Sequence, residues 1–334
     1  AAAQELEAAR LGVPIARASL MPQVTLSYSN AAVTGTREFP NASLQEVTTR
    51  VDYESPQTAL SVRMPLFNYD AWNRLDQAMA QGRGAEAAFR ARGLDLVDRV
   101  ASAYLQLLDA HAHVTLAEAE LAALEDQARR AEQRLRRGVG TRTEEASARG
   151  SAELVRARLI DARERVVVAQ AQLRRFTGRW PDHVLDAPQE FRPVVETPAA
   201  VRDWMDAGLA QNPAIQARQA AVEAAGYAVK RNTAGHLPRL DVVGSIARNR
   251  NESLANLNQS SNLRTLGIQL SMPLYSGGGV DAAVRQAQAD LVRAEEELRN
   301  ERESNSYEIQ RQLQIADAAA RRADALRKAV EAGE

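Results

Sequence analysis

Cysteine is missing altogether from the 334 residues, which removes disulfides, thiolate metal sites and a lipidated cysteine from consideration within this sequence. Aromatic residues make up only 4%, and neither sign of charge dominates: 42 lysines and arginines face 43 aspartates and glutamates, so there is no electrostatic footprint for nucleic acid. No apolar run is long enough for a transmembrane helix. If the chain crosses a bilayer, it must do so with strands whose backbones are satisfied in a closed barrel. Gly277-Gly278-Gly279 has no Lys-Ser/Thr behind it, so these glycines read as a strand-to-helix joint rather than a phosphate cradle. No catalytic constellation and no cofactor motif stands elsewhere. The opening AAAQELEAAR has neither an initiator methionine nor a secretory signal, so export calls for a leader already removed.

What the chain does have, it has twice. SLMPQVTLSYSN around Pro22 returns as GHLPRLDVVGSIARN around Pro238, and TALSVRMPLFNYD around Pro65 returns as LGIQLSMPLYSGG around Pro273. The paired prolines lie 216 and 208 positions apart, so the copies differ by eight residues, all between the prolines. A unit that recurs with its turns intact is an architectural module. Inside each module hydrophobicity alternates with period two, the mark of a strand with one apolar face. Val24, Leu26 and Tyr28 interleave with Thr25, Ser27 and Ser29, and Leu60, Val62, Met64 and Leu66 with Ala59, Ser61 and Arg63. The second copy does the same with Leu240, Val242, Gly244 and Ile246, then with Leu266, Ile268, Leu270, Met272 and Leu274 against Gly267, Gln269 and Ser271. Four strands are expected within 22–67 and 238–275, each about ten residues and long enough to cross a bilayer at a tilt. Segments 34–57 and 250–262, rich in Asn, Ser and Thr, read as loops facing water.

The remainder has helical spacing. No proline interrupts residues 70–135, where Val114, Ala117, Leu121, Leu124, Ala128, Ala131 and Leu135 fall three and four apart; Val280, Val284, Ala287, Leu291, Ala294 and Leu298 repeat the pattern. These are coiled-coil seams. A further seam, Ile309, Leu313, Ala316, Ala320 and Ala323, begins eleven residues after Leu298, a stutter that relaxes the supercoil. A helix over 70–135 would be on the order of 100 Å long, too long for the interior of a compact domain. After Leu135 the run RRGVGT makes a turn, and helix resumes over 142–175. Pro181, Pro188, Pro193 and Pro198 punctuate an irregular stretch, a short helix occupies 201–210, and Pro213 opens another reaching about Thr233.

Four strands are too few to close a barrel, since the smallest membrane barrels have about eight. Two copies would make a barrel filled by side chains and three a hollow one, and long helices continuing from every strand favour the hollow arrangement. Positions Thr25, Ser27, Ser61, Arg63, Gln269 and Ser271, polar or small, suit a wet lumen.

Several features together resemble the TolC family of outer-membrane efflux proteins. They are the duplicated strand–helix–turn–helix order, the motifs Leu237-Pro238, Met64-Pro65-Leu66 and Met272-Pro273-Leu274, the NPAIQARQAAVEAAGYAV run from Asn212, and the turn Gly138-Val139-Gly140-Thr141. The resemblance covers nearly the whole chain. It implies a homotrimer in which four transmembrane strands per chain build a 12-stranded barrel in the outer-membrane lipid, continued into the periplasm by long antiparallel coiled-coil helices that form an α-barrel. The helical barrel would take residues 1–21, 68–177, 212–237 and 276–334, and an equatorial domain 178–211. By the logic of the repeat, a second tip and its returning helix are expected beyond Glu334, and the resemblance implies that the entrance gate belongs to that part. The family favours one acidic residue followed by two apolar ones after the first tip, where this chain has Glu144, Glu145 and Ala146.

The implied role is a passive exit duct passing protein or small molecules outward, with type I secretion favoured. The partners would be a periplasmic adaptor and an inner-membrane ATP-driven transporter or proton-driven pump; no enzyme activity, cofactor or nucleic acid is implied. The competing reading is a soluble periplasmic coiled-coil adaptor or scaffold. Expected lipid-facing residues are Leu60, Val62, Met64 and Leu66 with Ile268, Leu270, Met272 and Leu274. Phe67, Tyr69, Trp72 and Tyr275 gather past the strand ends, either as ordinary packing or as an interfacial aromatic belt. Arg137, Gly138, Val139, Gly140 and Thr141 either merely end a helix or form the adaptor-docking tip as well, and Gly140→Trp is the expected probe of that docking. His111 and His113 point to different helix faces, His183 and His236 are isolated, and Glu144, Glu145 and Glu295-Glu296-Glu297 read as solvated helix faces.

Overall fold

A computed structural model describes residues 2–40, 45–181, 198–253 and 256–333. The chain divides into two units, one made of Ala1–Phe89 with Arg202–Gln310, the other of Arg90–Val201 with Arg311–Glu334.

The first unit is built on a four-stranded antiparallel sheet, in the order β1 (Gln23–Pro40), β2 (Glu46–Phe67), β3 (Arg239–Ser253), β4 (Asn256–Ser271). Its outer strands, β1 and β4, each leave one edge unpaired among the described residues of the chain. The strands are longer than period-two alternation alone indicates. Thr34–Pro40 pairs in register with Glu46–Asp52, and Arg250 and Asn251 pair with Ser260 and Gln259, so most of the two segments expected to be loops is hairpin. The polarity of those segments reports what they face, not whether their backbones pair; Val33 opposite Tyr53 shows the β-formers that continue the ladder. In the other direction β4 stops at Ser271, opposite Arg239, because β3 only begins there, after Pro238; Met272 and Leu274 therefore lie beyond the strand.

Each strand joins helix at the same end of the sheet. α1 (Ala2–Ala18) leads into β1, β2 into α2 (Tyr69–Arg136), α5 (Pro213–Thr233) and a short 3-10 turn into β3, and β4 into α6 (Gly279–Gly333). Asn68 caps α2 by accepting from the Ala71 N–H at 3.1 Å, and Asn212 caps α5, accepting from Ala214 N–H at 2.8 Å with Pro213 in the first turn. Before α6, Gly277 and Gly278 adopt φ of 63° and 79°, a backbone reversal that side chains resist. Ion pairs stitch the helix stems: Arg10 to Glu86 at 3.0 Å between α1 and α2, and Arg218 to Glu297 at 2.8 Å between α5 and α6. Residues 182–197 of the expected equatorial segment, His183 among them, lie outside the described residues; α4 (Pro198–Gln211) closes that segment. Gly208 of α4 sits so near α6 that an added Cβ would fall 2.5 Å from Ile309 Cδ1.

In the second unit α2 packs against α3 (Arg142–Thr177). Their core is Ala103, Leu107, Ala110, Ala169 and Leu173, flanked by Val100, Tyr104, Val166 and Phe176. The seam expected on α2 holds: Ala117 is buried, and Val114, Leu121, Leu124, Ala128, Ala131 and Leu135 are half-buried. α3 carries a stricter seam, burying Ala148, Ala152, Val155, Leu159, Ala162, Ala169 and Leu173. On α6 the expectation needs correcting. Leu313 and Ala320 turn inward, but Ala316 and Ala323 are exposed and their neighbours Asp317 and Asp324 are half-buried instead, as if the stutter moves the phase on by one residue.

Candidate functional site: a two-faced sheet and a capped helical turn

Antiparallel partners point to the same side of a sheet, so the register sorts every strand residue into one of two faces. Val24, Val62, Gly244 and Leu266 form one row across all four strands, and Leu26, Leu60, Ile246 and Arg264 the next. The rows between them are Thr25, Ser61, Ser245 and Thr265, then Gln23, Arg63, Val243 and Gly267. One face is thus almost wholly apolar and the other largely polar. Most of the apolar face stays in the open, from 38% exposure at Val62 to 83% at Leu266 with Leu60, Met64, Leu66, Ile268 and Leu270 between, while Leu240 and Val242 nearer the helices are half-buried. Met272 and Leu274, past the end of β4, are also exposed.

The polar face carries a concave hollow of about 720 Å³, open to solvent and lined by Thr25, Ser61, Arg63, Ser245, Thr265 and Gln269. Ser245 donates to Thr265 Oγ1 at 3.2 Å across the strands. On the same face Asp241 is buried, and its Oδ2 accepts from Arg63 Nε at 3.1 Å and lies 3.2 Å from Arg239 Nε. A carboxylate desolvated in this way needs such partners. Alternation places Asp241 between Leu240 and Val242 on the polar side, a signal present in the sequence but not singled out there.

A bulge between Pro65 and Phe67 changes the phase of β2 at its last turn. Leu66 becomes the extra residue, and Phe67 pairs with Leu240 on the apolar side. There it meets Trp72 edge to face, with ring centroids 5.2 Å apart and planes at 89°. The other two aromatics do not join them. Tyr69 is half-buried at the start of α2, and its carbonyl accepts from Asn73 Nδ2 at 2.7 Å, whereas Tyr275 stands 89% exposed. The structure therefore brings together two of the four aromatics expected as a group.

In the second unit, the turn after α2 is a Schellman motif. Val139 N–H donates to Arg134 O at 3.1 Å and Gly138 N–H to Leu135 O at 3.0 Å, with Gly138 at φ 75°. Arg137 N–H closes the last helical bond, to Gln133 O at 3.1 Å. Thr141 then opens α3 with a capping box: its Oγ1 accepts from Glu144 N–H at 3.2 Å, and Glu144 Oε2 accepts from Thr141 N–H at 3.1 Å. Glu144 is therefore a capping residue and not simply a solvated acid, and the Thr-x-x-Glu spacing carries that signal. Gly140 lies against the end of α2, where a Cβ would come within 3.0 Å of both Arg134 Cβ and Leu135 N. Gly140→Trp would thus deform the turn itself and is no clean probe of what the turn touches. Val139, 76% exposed, presents its side chain outward.

The titratable groups here serve the helices. Arg156 of α3, held at 2.7 Å by Glu125 of α2, is pushed above its ordinary value by that hydrogen bond and by Glu153, while Lys328 holds Asp324 below the usual carboxylate range. His113 lies 3.6 Å from Asp109 and His236 3.2 Å from Asp281, so neither is isolated.

Comparison with known proteins places this architecture. The sequence profile of the family described as outer membrane efflux protein matches residues 1–179 and 204–334. The alkaline protease secretion protein AprF of Pseudomonas aeruginosa is 34% identical over 86% of this chain and 60% of its own length. The proteases secretion protein PrtF of Dickeya chrysanthemi is 30% identical over 100% of this chain and 73% of its own. The chain therefore spans only part of the length of these relatives. Among solved structures, the outer membrane protein VceC of Vibrio cholerae superposes with a TM-score of 0.82 at 19% identity, covering 99% of this chain and 78% of that one. That likeness carries the fold, a helical barrel with a four-stranded contribution per chain. A duplicated strand-and-helix module, a sheet with one bare apolar face, and a profile matched on both sides of residues 180–203 have one common explanation: the chain belongs to the outer membrane efflux protein family.

Proposed function

We propose that this chain is one subunit of a passive outer-membrane exit duct, serving a tripartite system that secretes protein. The observation that carries the proposal is the bare apolar face of a sheet with two unpaired edges. In water that face would be a liability, and unpaired edges invite strand addition. In a bilayer the same face is satisfied by lipid, and the edges are satisfied when β4 of one copy meets β1 of the next. Three copies give twelve strands, a number that leaves a channel, whereas two give eight, which side chains fill. The polar concave face supports the hollow choice. Leu60, Val62, Met64, Leu66, Ile268 and Leu270 then meet lipid, with Met272, Leu274 and the ring pair of Phe67 and Trp72 at the periplasmic interface.

The helices extend into the periplasm, and the turn Arg137–Thr141 docks a periplasmic adaptor, with Val139 as the contact. Two relatives named for protease secretion support protein cargo. Conduction needs a wide, weakly binding lumen and no chemistry, so the energy comes from an inner-membrane transporter joined through the adaptor. The soluble scaffold reading loses its footing on the exposed face, which a soluble domain would cover.

The full-length protein, extracted in detergent and added to a planar bilayer, is expected to run as a trimer and form pores. A monomer soluble without detergent that forms none would overturn the proposal. Val139→Asp is expected to leave trimer and pore intact while lowering export by about tenfold or more, because a desolvated charge at a docking contact costs at least the ~1.4 kcal/mol of one decade. Unchanged export would remove the turn from the docking surface.

A further inference from the structure

The apolar face of the sheet is not uniform. Where its third row crosses β3 the residue is Gly244, and the missing side chain leaves a depression of about 380 Å³ walled by Leu60, Val62, Ile246 and Leu266, with Arg264 at its rim. A Cβ at Gly244 would meet only ordinary contacts, Leu266 Cδ1 and Thr265 O, both at 3.7 Å. The depression is therefore not a spot where packing demands glycine.

Arg264 and Arg248 are the first arginines met on this face beyond its apolar rows; Arg250, paired with Ser260, stands on the same face one pair further on. Arg264 pairs with Ile246 and Arg248 with Asn262 and Thr58, which makes them diagonal neighbours across β3 and β4. Both are exposed, and neither has an ion pair among the described residues. The nearest carboxylate in register on β2 is Glu54, four positions beyond Thr58, and it already accepts from Asn30 at 3.3 Å. Below Arg264 the face is apolar down to Leu240 and Leu270; above it come Tyr28, Thr58, Asn262 and Asn30. The two guanidinium groups thus stand where the apolar band ends, at the end of the sheet away from the helices.

We propose that this depression and the two arginines form a seat for one phosphorylated glycolipid of the external leaflet. An acyl chain lies over Gly244 while the sugar phosphate is held by Arg264 and Arg248. The proposal rests on the duct reading, which puts the helix-free end of the sheet outside. The charge argument selects the ligand. Two like-charged guanidinium groups on diagonal positions, with no ion pair among the described residues, call for a dianionic partner, and their planar forks match phosphate geometry. Long basic side chains at the edge of an apolar band reach the headgroup level, where such phosphates lie. A zwitterionic phospholipid offers no net charge to match the pair.

The test uses the full-length trimer in mixed micelles, with diphosphoryl lipid A, its dephosphorylated form and phosphatidylethanolamine as probes and the lipid retained per trimer as the readout. The wild-type protein is expected to retain the diphosphoryl form about tenfold over the other two, the effect of a single decade of affinity. Arg248→Gln with Arg264→Gln should abolish that preference. Gly244→Val, which fills the seat without changing charge, should lower retention of every acylated probe and keep the phosphate preference. Equal retention of all three lipids by the wild type, or an unchanged preference in the double variant, overturns the proposal. Conductance of the same preparations separates the two readings: conducting trimers without lipid preference dispose of the lipid seat alone, whereas wild-type protein that forms no pores disposes of the duct.

Discussion

At the scale of single residues, Asp241 carries the most concentrated electrostatics of the sheet. Its carboxylate is buried on the concave face, and both basic neighbours use the same oxygen. Asp241→Asn keeps the shape but removes the charge, leaving Arg63 and Arg239 to repel each other across β2 and β3. Hydrogen bonds to a charged group contribute about 1.5–3 kcal/mol, so the variant protein should unfold at a measurably lower temperature than wild type. An unchanged midpoint would mean that solvent already screens the pair, since both arginines are 45% exposed. The turn makes a second residue-scale prediction. Gly140→Trp should lower the melting temperature of the protein as well as its export, because the added side chain collides with the backbone at the end of α2. Melting unchanged from wild type would show that the turn tolerates what the geometry forbids. Val139→Asp, whose site is open, should leave melting alone.

At the scale of elements, the α2–α3 pair is held by few large side chains and many alanines. Leu107 is the one fully buried large residue of its core, at 0% exposure. Leu107→Ala should therefore cost about 2–5 kcal/mol, read as a shift of the denaturant midpoint, while Ala110→Gly close by costs about 1 kcal/mol through helix propensity. Equal effects from the two would show that the seam is not where the stability resides. Much at this scale was legible in the sequence: alternation gave the strands, and three-and-four spacing gave the seam of α2. The α3 seam was equally present, from Ala148 to Leu173, but alanine there dilutes the contrast that marks a hydrophobic stripe. What the sequence could not supply is what depends on a partner strand. The bulge at Leu66 and the end of β4 at Ser271 are set by where β3 begins, and the hairpin arms pair although their composition looks like loop.

At the scale of the molecule, the fold gives the sheet two unlike faces, one apolar and one largely polar. Its duplicated module supplies four strands with matched faces, and the proposed duct closes them with other copies of the chain. Family membership follows from the order of the elements more than from any single motif. The proposed lipid seat and docking turn rest on local geometry that only the folded chain displays. The central claim is that the apolar flank lies in lipid and the concave flank in water. The absence of cysteine makes that directly measurable, because a single introduced cysteine carries a spin label without background. Labels placed one at a time along β4 at 266, 267, 268, 269 and 270 in the reconstituted protein are scored for collision with oxygen, which partitions into lipid, and with a water-soluble nickel complex. The account predicts strict alternation, with positions 266, 268 and 270 accessible to oxygen and 267 and 269 to nickel. A β4 with no alternation, or one reached by nickel alone on both faces, would contradict it.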